Sequence, residues 1–97
     1  MKELNLEEFT MKILNLGDEE TWEMKCKDVY EDVYTVWFSK RMYKSFGGSS
    51  YFYVVYSYPF TMDAGFIQED SEYGWERNIE EVWNDITDCV ELTPFEE

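Results

Sequence analysis

The chain has 97 residues, 44% of them apolar and 20% aromatic, with 22 acids against eight bases, no histidine and a net charge of −14. This is enough apolar material for one folded core but not for two domains, and the aromatic content excludes a disordered acidic polymer. The charge opposes direct binding to nucleic acid or to anionic lipid, and the missing histidine removes the commonest general base.

The first predicted element is a helix over about residues 6–16. Asn5 followed by Glu8 reads as a capping box, and Leu6, Phe9, Ile13 and Leu16 recur on one helical face before Gly17 stops the run. The period then changes to two. Trp22, Met24 and Cys26 alternate with Glu23, Lys25 and Lys27, which predicts a half-buried strand over about 20–28. A second strand is expected over about 33–44, with Tyr34, Val36 and Phe38 on one side and Val33, Thr35 and Trp37 on the other. Lys40, Arg41 and Lys44, near its end, fit the protection of a sheet edge. The Gly47-Gly48-Ser49-Ser50 turn leads to a third strand over about 51–58, rich in tyrosine, so that the second and third strands form a hairpin.

Pro59 should end the sheet, and residues 61–70, with Gly65 among them, read as a loop. A second helix is predicted over about 74–89. Trp75, Ile79, Val82, Trp83, Ile86 and Cys89 fall within one arc of a helical wheel, while Glu76, Glu80, Glu81, Asp85 and Asp88 occupy the opposite side. Thr93-Pro94 then closes the ordered part, leaving Phe95-Glu96-Glu97 as a tail. The expected fold is a single α+β domain over residues 1–97, order α-β-β-β-α, with a three-stranded antiparallel sheet covered by two helices.

The opening Met1-Lys2-Glu3-Leu4-Asn5 has no apolar signal region, and no apolar run is long enough to cross a bilayer, so a cytoplasmic location is expected. Cys26 and Cys89 match no metal spacing, and in that compartment they are expected buried and reduced.

The main candidate site follows from where the charge sits. From Pro59 onward twelve acids stand against the single base Arg77. Glu69, Asp70 and Glu72 in the loop, with Glu76, Glu80, Glu81, Asp85 and Asp88 on the helix, form the candidate partner-binding surface. Carboxylates four residues apart repel by a few tenths of a kcal/mol, roughly, and almost no base relieves them here, which is uneconomical for solvation alone. Rows of carboxylates can occupy a Lys/Arg groove built for phosphates. The bland reading is a solvated helix face. Tyr51 and Tyr53 are the candidate aromatic contacts, with plain strand packing as the simpler account. The calcium-loop spacing is absent, as is a phosphate-binding glycine loop, and no metal, cofactor or catalytic residue is expected.

This profile resembles the class of phage or mobile-element counter-defence proteins that imitate nucleic acid, among them anti-CRISPR and anti-restriction inhibitors. The likeness is one of type and aligns no residues. It implies a non-enzymatic inhibitor whose acidic surface blocks the DNA- or RNA-binding site of a basic partner, such as a nuclease or CRISPR effector, in the cytoplasm of a bacterial host. The chain would act as a monomer or homodimer. The alternatives are an immunity or antitoxin protein for a cognate basic toxin, and a structural or assembly protein whose acidity only confers solubility.

Overall fold

The computed structural model describes residues 2–44, 47–48, 50–57, 64–68 and 74–96. Its elements in chain order are β1 (Lys2–Glu3), α1 (Leu6–Leu14), β2 (Thr21–Lys27), β3 (Val33–Lys44), β4 (Ser50–Ser57), β5 (Ala64–Gln68), α2 (Gly74–Asn84) continued by a π-helical turn (Asp85–Cys89), and β6 (Thr93–Glu96). The strands form one antiparallel sheet in the order β1-β6-β2-β3-β4-β5. This is a compact single domain of mixed helix and strand. It is wider than the three-stranded sheet expected from the sequence.

Two of the additional strands replace an expected loop and an expected tail. Ala64–Gln68 pairs with β4, and its Ile67 is buried opposite Val54. Thr93–Glu96 lies between β1 and β2, with Pro94 and Phe95 both buried. Pro94 is tolerated because a strand residue points its N–H and C=O to the same side. Its carbonyl faces Leu4, accepting that N–H at 2.9 Å, so the missing donor falls where the two-residue β1 has already ended. The wider sheet also makes β3 an interior strand. That holds as far as Lys40, whose backbone bonds Glu19 and Glu20 and whose side chain reaches Asp18 at 3.8 Å; among the described residues Arg41–Lys44 pair with β4 alone, so β3 keeps a free edge there.

Both helices lie on one face of the sheet. Phe9 and Ile13 of α1, Ile79 and Val82 of α2, and Ile86 join Met24, Cys26, Val36, Phe38, Val54 and Ile67 in a single core. An aromatic group ties the layers together, with Phe9 against Phe38 at 5.4 Å and against Trp83 at 5.2 Å. The capping box forms as the sequence predicts. Asn5 Oδ1 accepts the Glu8 N–H at 2.8 Å, and Glu8 returns a bond to the Asn5 N–H. The hairpin of β3 and β4 forms too, and Gly48 near its turn takes a positive φ of 83°. Met42, on the helix side of β3, is 53% exposed, so this hairpin runs beyond the helical cover.

The opposite face of the sheet is open. Val33, Trp37 and Val55 are exposed on it, alongside Arg41, with Lys25 donating to Thr35 at 2.8 Å. Among the described residues no helix is long and apolar enough to cross a membrane.

Candidate functional site: an acidic helical back

The acids of α2 point away from the core because the apolar residues between them are held by it. Ile79, Val82 and Ile86 are buried, whereas Glu80, Glu81, Asp85, Asp88 and Glu91 are exposed. Arg77 is the single base of α2, and no Lys or Arg occurs from Ile79 to Leu92, so the charge of this stretch is strongly negative. Glu76 lies within α2, but its side chain is outside the described residues, and Glu69, Asp70 and Glu72 lie wholly outside them.

The end of this surface departs from the expected helix. At Asp85–Cys89 the winding loosens, and the Val90 N–H donates to the Asp85 carbonyl five residues back at 2.9 Å. The extra residue turns Cys89 out of the buried arc predicted for it, and Cys89 is exposed. Glu91 then adopts a left-handed φ of 57°, and the Leu92 N–H closes on the Ile86 carbonyl at 3.0 Å, burying Leu92. This is a Schellman-like ending widened by one residue.

Both cysteines are free thiols, one buried and one exposed rather than both buried. Desolvation pushes the Cys26 thiol up to about 12. Cys89 is also raised, first by its hydrogen bond to Asp85, then by desolvation and the nearby carboxylates. Neither environment favours a thiolate, so neither cysteine has the setting of a nucleophile. The Tyr56 phenol is raised by burial and by Asp85.

Tyr53, expected to accompany the acids, is not beside those of α2. Val54 enters the core, so Tyr53 projects onto the open face of the sheet, half-buried and opposite Arg41 in register. Tyr51 pairs with Tyr43 in register, and its side chain is outside the described residues. From Tyr53 to Ser57 β4 is flanked by both β3 and β5. The sheet thus separates Tyr53 from the acidic back.

Further acids come from outside the region singled out in the sequence. Glu7 on α1 is exposed, as are Asp18, Glu19 and Glu20 before β2. Glu7 adds a carboxylate to the exposed side of α1. Its signal was the helical wheel of α1, which puts Glu7 off the Phe9–Ile13 face. At the β2–β3 turn Asp28 accepts the Tyr30 and Asp32 N–H groups at 2.8 and 3.0 Å, which fixes Glu31 at φ 67°. Among the described residues no group of three or more Asp, Glu or Cys converges as a metal-ligand set.

Comparison with known proteins gives no match to a family model, to a curated protein or to a solved structure. The functional reading rests on the site itself.

Proposed function

We propose that this chain is a non-enzymatic inhibitor of the phage or mobile-element counter-defence type, which occupies the nucleic-acid-binding groove of a basic protein such as a nuclease or CRISPR effector. The observation that carries the reading is the exposed acidic back formed by Glu80, Glu81, Asp85, Asp88 and Glu91 along α2 and its π turn, against the single base Arg77, set on a folded scaffold by Ile79, Val82 and Ile86. Fixed carboxylates meet Lys and Arg groups without the entropy cost of ordering a flexible acidic tail.

A second feature supports selection for charge over stability. Glu19, Glu31 and Glu91 all hold left-handed φ values of 57–67°, positions that glycine or asparagine fills at lower cost. At each of them the chain keeps a carboxylate.

The test is capture from nuclease-treated bacterial lysate on the immobilised protein, followed by elution with DNA and mass spectrometry. A basic nucleic-acid-binding protein released by DNA is the expected result. The variant combining Glu80→Gln, Glu81→Gln and Asp88→Asn should stay folded and lose that partner. Asp85 is left unchanged in it, because Asp85 bonds the Cys89 thiol. Retention of the same partner by the variant would overturn the assignment of the acidic back. Capture of a toxin would move the reading to immunity.

A further inference from the structure

A groove of about 630 Å³ opens between α1, the start of β2 and the end of β6. Leu16 and the indole of Trp22 give it an apolar lining, and Met11, 54% exposed, adds a flexible thioether side chain. Glu7, Glu20 and Glu96 bring carboxylates to the same groove. The indole is held firmly. It stacks on Phe38 at 5.5 Å with 28° between the planes, and it meets Phe9 at 6.0 Å.

The chain's own Lys12 shows what this surface accepts. Its Nζ lies over the Trp22 ring, 6.0 Å from the centroid, and 3.3 Å from Glu96 Oε1. The Lys12 side chain is half exposed, so it can turn away to solvent at little cost. An aromatic plane with a carboxylate beside it and an apolar wall below suits a planar cation better than an ammonium. Guanidinium is weakly hydrated, stacks on indole and binds a carboxylate with two parallel hydrogen bonds.

We propose that this groove receives an arginine side chain of a protein partner. The guanidinium lies over Trp22 and pairs with Glu96, the aliphatic stem runs along Met11 and Leu16, and Lys12 swings out. The site extends the proposed function by naming what a basic partner inserts, and it stands on residues apart from the acidic back of α2.

The test uses the full chain and the peptide acetyl-Gly-Arg-Gly-amide, with its lysine and citrulline counterparts, in moderate salt. Binding is read from the Trp22 indole N–H resonance, assigned with the Trp22→Phe variant. The arginine peptide should shift that resonance saturably, bind about two- to fivefold more tightly than the lysine peptide, and leave the neutral citrulline peptide without effect. Lys12→Ala removes the internal competitor and should tighten arginine binding about two- to fivefold. Lys27→Ala, the same charge change on β2, should alter it by less than about twofold once salt screens distant charges. Equal effects of the two lysine variants, equal binding of arginine and lysine peptides, or no saturable Trp22 shift would each overturn the site. The triple carboxamide variant of α2 should bind the arginine peptide as the unmodified chain does, so failure of the acidic back and failure of this groove are read separately.

Discussion

Cys26 is fully buried on β2, and desolvation alone raises its thiol from 9.0 to about 12. Above pH 9 the unfolded chain loses this proton while the folded chain keeps it, so stability contributed by the neutral thiol falls as pH rises from 9 to about 12. The full effect is on the order of 4 kcal/mol, from 1.36 kcal/mol per unit. Urea denaturation at pH 7.5 and pH 10.5 should therefore show a smaller alkaline loss in Cys26→Ala than in the unmodified chain, although the variant is weaker at pH 7.5. A second residue tests the first turn of α1. Asn5→Ala removes the acceptor for the Glu8 N–H and should cost about 1 kcal/mol in urea denaturation. At Glu31, φ 67° is unfavourable to any side chain, and Glu31→Gly should stabilise the fold by about 1 kcal/mol in the same measurement.

At the scale of elements, β6 carries a disproportionate share of the architecture. It joins β1 to β2, buries Pro94 and Phe95, and accepts Lys12 of α1 at Glu96. Truncation after Leu92 would leave β1 without its partner and expose the β2 edge, so cooperative unfolding should be lost, as followed by near-ultraviolet circular dichroism. A dispensable tail would leave the transition unchanged. The helices and β2–β4 were legible because their apolar residues follow periods of 3.6 and 2 over seven or more residues. β1, β5 and β6 were not. They span two, five and four residues, and their place is set by pairings such as Lys2 with Glu96, which no local window contains. The π turn was hidden for a related reason. The helical wheel assumes constant winding, and only the burial of Leu92 beyond it shows why Cys89 turns out.

For the whole molecule, a net charge of −14 on 97 residues makes self-repulsion a global term. Raising sodium chloride from low to physiological levels should increase Tm by several degrees, because the screening length shortens to about 8 Å. The triple carboxamide variant of α2 should melt no lower than the unmodified chain and gain less from salt. A drop in its Tm would mean that these carboxylates hold the fold rather than serve a partner. The acidic back was legible at this scale, since its acids alternate with core residues of one helix. The arginine groove was not legible, because Lys12, Trp22 and Glu96 come from three separate elements.

The sequence by itself determined the sign and concentration of the charge, both helices, the hairpin of β3 and β4, and which face of α2 meets solvent. These are properties of composition and short-range period, and the hydrophobic effect acts on them wherever the elements come to rest. Only the tertiary structure decided that Tyr53 lies across the sheet from the acids of α2, that β3 falls between β2 and β4 and β4 between β3 and β5, and that Trp22 meets Lys12 beside Glu96. Each depends on which strands become neighbours. That choice is made by non-local hydrogen bonding and by the closing of one shared core, so it leaves no repeating mark along the chain.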